Sequence, residues 1–270
     1  MLVVAVVAWL AGATLDARAR TVPLVQLDSG LWTLPVGSRH TARPWRFLID
    51  TGSTRTLLSA AAAREAGLAV SDGAGVVTPG GRVAAGEATL DDLRIGDRVL
   101  TGFPVLVLDL GALGRAGAID GILGMDALAH DRVFLDLAGG QLSFVEAGAA
   151  ATARGTAATM RQESGRVLLE ARLDGVARTL VLDSGAAHVV VYDTRPVGAP
   201  VQLTTAGGGA AGRVGRASLS LGAVHLGAVP AVRVTAPALR AGSDGLLPAS
   251  LFASIYIDRA AGEVRLVPRR

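Results

Sequence analysis

Four blocks from the first half of the chain recur, in the same order, in the second half. RFLIDTGST (46–54) matches TLVLDSGAA (179–187), and LRIGDRVLTGFPVLV (93–107) matches LSLGAVHLGAVPAVR (219–233). IDGILGMDAL (119–128) matches SDGLLPASLF (243–252), and FLDLAGGQLSFV (134–145) matches YIDRAAGEVRLV (256–267). The spacing between partners shrinks smoothly, from 133 residues for Asp50 and Asp183 to 122 for Asp136 and Asp258. Collinear blocks of this kind mark a duplicated unit, and one too long for a solenoid repeat, so the expectation is two homologous lobes. Lobe one is expected over 21–147, a linker of small residues over 148–160, and lobe two over 161–270.

The 270 residues suffice for two units that each bury a core, and half of them are hydrophobic. The apolar content comes mostly as short Val/Leu runs divided by glycine-containing turns, which read as strands. Short helices are expected only near 59–67, 125–130 and 249–253, with Gly67 as the stop of the first. The basic residues are all arginine, and they explain a sequence pI near 10.4. With a net charge of only +3, no basic run and 4% aromatics, no nucleic-acid surface is expected. Without cysteine, disulfides, thiolate chemistry and cysteine zinc sites are excluded.

Residues 1–20 open with about 15 uncharged residues, fewer than the roughly 20 that a membrane-spanning helix needs. The run suits a secretory signal core, and Ala17-Arg18-Ala19 resembles a small-x-small cleavage site. This segment is therefore expected to be a signal peptide or short anchor. The rest of the chain would then be exported, periplasmic or secreted, either free or tethered by its N-terminus, with no stable membrane span.

The chemistry-bearing motif is the repeated one. An apolar strand runs into Asp50-Thr51-Gly52-Ser53 in lobe one and into Asp183-Ser184-Gly185-Ala186 in lobe two. The strand holds the carboxylate rigidly. The glycine allows a tight turn and offers an N–H to that carboxylate. The hydroxyls of Thr51 and Ser184 are placed to bond across an interface between lobes. One such loop is often only a turn, but two in equivalent places would be brought face to face by a twofold. Ser53 has no hydroxyl counterpart at Ala186, so Ser53 is expected to donate to Asp50 and make it the more often ionised aspartate. The second repeated element, Asp120-Gly121-Ile122-Leu123-Gly124 against Asp244-Gly245-Leu246-Leu247-Pro248, reads as a buried strand beneath the aspartate loop.

On these motifs the chain resembles the retropepsin-like and pepsin-like aspartic proteases, in a bacterial-type tandem arrangement. The resemblance covers nearly everything after the N-terminal segment. Pro248, in place of the bracing glycine, and Ala186 depart from the pattern, and no tyrosine lies near the flap of lobe one. The resemblance implies a mostly β fold of two acid-protease barrel lobes related by a pseudo-twofold axis, in a monomer. It implies an aspartic endopeptidase acting on peptide or protein substrates through an Asp50/Asp183 dyad, supported by Thr51, Gly52, Ser53, Ser184 and Gly185, without metal or cofactor. Glycine-rich hairpins over 76–86 and 203–212 are the flap candidates, with Thr78, Pro79, Gly80 and Gly81 in one and Gly207, Gly208 and Gly209 in the other. The alternative is a non-catalytic peptide-binding module on the same fold.

Other motifs are set aside. Residues 207–212 fit GxGxxG, but a strand pattern follows them where a dinucleotide site needs a helix. The histidines are dispersed and lack metal spacing. His188 reads as a surface or packing residue, and Asp136 and Asp258 as strand-end or turn residues. No GxSxG elbow supports a serine hydrolase.

Overall fold

The computed structural model describes residues 20–269 except 74, 79–80, 112, 114–118, 129–131, 146–154, 194–196, 207 and 236–241. The expected signal segment lies outside these residues apart from Arg20, as do Pro79, Gly80, Gly207 and residues 148–154 of the expected linker. Among the described residues no helix is long and apolar enough to cross a membrane.

The chain is mostly strand, and the two halves carry the same strand order. Lobe one runs Val25–Gln26, Trp32–Val36, Trp45–Ile49, Gly121–Leu123, Leu57–Ser59, Arg98–Leu108, Gly86–Ile95 and Ser71–Asp72 across its sheet. Lobe two runs Arg166–Leu173, Val176–Asp183, Gly245–Pro248, Val189–Tyr192, Val224–Val234, Gly208–Leu221 and Ala199–Thr205. In each, the strand of the Asp-Gly block is inserted between the strand entering the aspartate loop and the strand leaving it. Gly121–Leu123 is parallel to Trp45–Ile49 and antiparallel to Leu57–Ser59. Gly245–Pro248 repeats this between Val176–Asp183 and Val189–Tyr192. The inserted strand holds the two sides of each loop apart, so the loop must project from the sheet end. Both aspartates therefore leave well-buried strands: Phe47, Leu48 and Ile49 on one side, Leu180, Val181 and Leu182 on the other.

Six further strands join the lobes. Arg20–Pro23, Gln141–Val145 and Arg132–Asp136 continue into Phe252–Asp258, Glu263–Pro268 and Thr156–Glu163. At the seam Phe134 lies opposite Tyr256. Each stands two residues before its matched aspartate, Asp136 or Asp258, so each faces its own counterpart, as a twofold at this pair requires.

Helices are short. Ala60–Glu65 starts on Ser59, whose hydroxyl accepts from the Ala62 N–H at 3.0 Å, and stops at Gly67, whose φ is +65°. Met125–Leu128 and a 3-10 turn at Ala249–Leu251 follow the two inserted strands. The linker expectation over 148–160 needs correction, because the strand Thr156–Glu163 begins inside it. Its first half pairs with Glu263–Pro268 and its second half with Arg166–Leu173. Backbone pairing holds it, and few of its side chains are covered, which is why no apolar pattern announced it.

The seam contains a charged lock. Asp258, 3% exposed, receives Arg132 Nε at 2.5 Å and the Ala261 N–H at 2.9 Å. Burial alone would raise its pKa, but these donors outweigh burial and hold it below the ordinary carboxylate value. A folded-state pKa below the unfolded one adds stability above about pH 3.9, and that stability is lost as pH falls through the folded value. Asp258→Asn should therefore lower Tm at neutral pH, with the gap to the wild type closing below about pH 4. Melting curves across pH check this, and a gap independent of pH would contradict it.

Candidate active site

The two aspartate loops meet at the lobe interface through reciprocal hydrogen bonds. The Thr51 hydroxyl donates to the Leu182 carbonyl at 2.8 Å and accepts the Ser184 N–H at 3.0 Å. The Ser184 hydroxyl donates to the Ile49 carbonyl at 2.8 Å and accepts the Thr51 N–H at 3.0 Å. Both side chains are buried, Thr51 completely. Each hydroxyl thus satisfies a donor and an acceptor of the opposite lobe, and the backbones beside the aspartates are held in register.

This register places the carboxyls together. Asp50 and Asp183 share a side-chain hydrogen bond. Gly52 lies flat against the opposite carboxyl: a Cβ there would stand 2.5 Å from Asp183 Cγ, and one on Gly185 would stand 2.6 Å from Asp50 Cγ. Only glycine permits that approach. Within each loop the carboxyl also collects backbone donors. Asp50 Oδ1 accepts from Gly52 at 2.9 Å and from Ser53 at 3.0 Å, and Asp183 Oδ1 accepts from Gly185 at 2.7 Å, with the Ala186 N–H also bonded to it.

Burial raises the pKa of both aspartates. In Asp50 it is opposed by the hydrogen bond from Asp183 and by the N–H groups of Gly52 and Ser53, leaving a raised value. In Asp183 burial is reinforced by the charge of Asp50 and by their shared hydrogen bond, so its pKa rises well above the ordinary value. Both shifts favour retention of a proton by the pair, and the upward push is greater on Asp183. The expected cause of this asymmetry is corrected: the Ser53 hydroxyl donates to the Arg55 carbonyl at 2.7 Å, and the Ser53 backbone N–H contacts Asp50. Ala186 supplies the same backbone contact, so the missing hydroxyl does not distinguish the lobes.

The Asp-Gly blocks tie each loop to its sheet. Asp120 Oδ2 accepts the Arg46 N–H at 2.8 Å, and its carbonyl accepts the Ser59 N–H at 2.8 Å. Asp244 does the same with Thr179 at 2.9 Å and Tyr192 at 2.8 Å. Lobe one adds a polar brace that the sequence reading missed. Gly124 N–H donates to the Thr56 hydroxyl at 3.1 Å, which donates to Asp126 Oδ1 at 2.6 Å. In lobe two the matching positions are Val189, Pro248 and Ser250. Proline removes the N–H where valine removes its acceptor, so no donor is stranded, and Pro248 keeps its place opposite Asp183 in the ladder.

A cleft of about 840 Å³ opens over the carboxyls. Its walls are matched aliphatics, Leu48, Leu57 and Ile122 against Val181, Val190 and Leu246. Each lobe contributes a hairpin. Val76–Thr78 pairs with Gly81–Val83, and the Thr78 hydroxyl donates to the Gly81 carbonyl at 3.0 Å. Ala199–Thr205 pairs with the start of Gly208–Leu221, and Thr205 donates to Gly208 at 3.1 Å. Thr78, Thr204, Thr205 and Ala206 line the cleft, whereas Gly81, Gly208 and Gly209 form the hairpins without lining it. Pro79, Gly80 and Gly207 lie outside the described residues. His188, Arg166 and Tyr192 also line the cleft; only comparison of equivalent positions in the two lobes could have singled out the last two. Asp136 accepts the Gly139 N–H at 2.8 Å in a turn, as expected.

The crossed hydroxyls carry a testable consequence. Thr51→Ala leaves the Ser184 N–H and Leu182 carbonyl unsatisfied in a buried interface, which should destabilise the protein by about 2–3 kcal/mol. Thr51→Ser keeps the hydroxyl and should lose far less. Urea unfolding checks the contrast, and equal losses for the two variants would show that the hydroxyl does not join the lobes.

Residues 37–127 match the family model described as aspartyl protease. That segment contains the Asp50 loop and the Ile122-Leu123-Gly124 brace. No curated protein matches the chain. Among solved structures it is similar to a retropepsin-like aspartic protease from Rickettsia conorii, with 20% identity over 46% of this chain and 89% of that one, at a TM-score of 0.36. The matched segment carries the Asp-Thr-Gly loop of lobe one, and the repeat sets the Asp-Ser-Gly loop of lobe two against it, so the similarity to aspartyl proteases lies in the segment that holds the first aspartate loop.

Proposed function

We propose that the chain is an aspartic endopeptidase in which Asp50 and Asp183 activate a water for attack on a peptide bond. The observation that carries this reading is the shared hydrogen bond between the two carboxyls at the floor of an aliphatic cleft. Charged Asp50 takes a proton from the water as it attacks the carbonyl carbon. Protonated Asp183 donates to the carbonyl oxygen as negative charge develops there. The proton gained by Asp50 then passes to the leaving amine. This division of labour belongs to the pair, and aspartic proteases are a standard instance of two carboxyls sharing one proton. The hairpins bearing Thr78 and Thr205 stand where a flap would cover an extended peptide, and the aliphatic walls suit apolar side chains on either side of the bond.

Asp50→Asn and Asp183→Asn should each abolish hydrolysis of a casein-type substrate. Loss of a general acid or base costs about 10²–10⁴-fold in rate, and a pair acting as one unit loses more than that range from either change. Both variants should fold, since each relieves a buried pair of like groups. Asp136→Asn, remote from the dyad, should cleave at the wild-type rate. Near-native cleavage by either dyad variant would overturn the reading and leave a peptide-binding module as the better account.

The pH profile is a second test. kcat/KM should rise as the first proton leaves the pair and fall as the second leaves. Because both pKa values are raised, the falling limb should lie well above the ordinary carboxylate range. A profile flat across the range from pH 3 to 8 would contradict a proton-sharing dyad.

A further inference from the structure

One cation of the cleft has no acidic partner. Arg166 lines the cleft, and its Nε is buried without a hydrogen-bond partner. Among the described residues no carboxylate pairs with it. Glu163, opposite it across the hairpin, goes to Arg161 at 3.6 Å. Arg55, the other cleft arginine, has Asp126 at 3.6 Å.

The position is built to be rigid. Arg166 follows a two-residue turn in which Ser164 and Gly165 have φ of +49° and +84°, the left-handed pair of a tight hairpin. A Cβ on Gly165 would lie 3.8 Å from the Thr54 side chain, so the turn rests against the aspartate loop of the other lobe. Beside Arg166 stands Tyr192, buried, lining the cleft and within electrostatic reach of both Arg166 and Asp183. Burial pushes the Tyr192 phenol up, so it remains a neutral donor. In lobe one the same turn reads Ser29-Gly30-Leu31, and Leu31 lines the cleft where Arg166 does in lobe two. Equivalent positions of the two lobes face opposite halves of an extended peptide.

We propose that Arg166, assisted by Tyr192, forms a subsite for an acidic side chain of the substrate, matched on the other side of the cleaved bond by an aliphatic subsite at Leu31. The buried Nε of a partly exposed guanidinium is left without an acceptor, which is costly, and a substrate carboxylate that supplies that acceptor gains a charge-assisted hydrogen bond. The inference rests on the endopeptidase reading for the meaning of the two sides, and binding separates the two ideas.

The test uses the full chain and a set of decapeptides carrying Glu or Gln at each position in turn. Cleavage is followed by mass spectrometry and binding by fluorescence anisotropy at pH 6, where a Glu of pKa about 4.3 is ionised. The wild type should favour Glu over Gln about tenfold at one position on one side of the bond. In Arg166→Gln that ratio should fall to about one, and Arg166→Lys should restore part of it. Cleavage without a Glu preference, or a preference that survives Arg166→Gln, would overturn the subsite and leave the endopeptidase standing. Glu-selective binding that depends on Arg166, without cleavage, would uphold the subsite and overturn the endopeptidase. Neither binding nor cleavage of any peptide would overturn both.

Discussion

The crossed hydrogen bonds of Thr51 and Ser184 are the interaction on which the rest of the site depends. Each hydroxyl reaches the backbone of the opposite lobe, so the two loops are fixed directly to one another as well as to their own sheets. A carboxyl needs another carboxyl within hydrogen-bond reach to share a proton, and two lobes joined only by apolar packing could slide by an ångström without much cost. Directional bonds in a buried interface forbid that slide, because every displaced donor or acceptor would be left without water. The six-stranded seam adds coarse alignment, with Phe134 facing Tyr256, and the hydroxyls set the fine alignment.

The lobes share a skeleton but not its supporting detail. Lobe one supports its loop with a polar chain of Gly124, Thr56 and Asp126, and lobe two uses Val189 and Pro248 at the corresponding places. Removing donor and acceptor together is nearly neutral, whereas removing one would strand the other. The duplicated unit has therefore diverged by paired changes. Electrostatic asymmetry in the dyad likewise needs no special residue. Two equivalent carboxyls in hydrogen-bond contact cannot both ionise cheaply, and small differences in burial and contact decide which keeps the proton.

Much of this was legible in the sequence because duplication converts weak motifs into strong ones. A single Asp-Thr-Gly could be a turn, but Asp50 and Asp183 at matched places in a collinear repeat imply a facing pair. The Thr51 and Ser184 hydroxyls were legible for the same reason. The Ser53 hydroxyl was misread because a hydroxyl near a carboxylate can bond either way, and only the backbone path shows that it turns toward Arg55. Thr156–Glu163 was missed because strands held by backbone pairing carry no apolar signature. Arg166 and Tyr192 had no visible role, since their meaning comes from what the fold leaves unpaired around them.

The central claim is that Asp50 and Asp183 titrate as one proton-sharing unit, and carboxyl ¹³C NMR of the two side chains over a pH series tests it most directly. The account predicts that both resonances respond to both titration steps, with Asp50 taking most of the first change and Asp183 most of a second step well above the ordinary carboxylate range. It also predicts that replacing either aspartate by asparagine removes the upper step. Two independent titrations near the usual aspartate pKa of about 3.9, each unchanged by loss of the other, would contradict it.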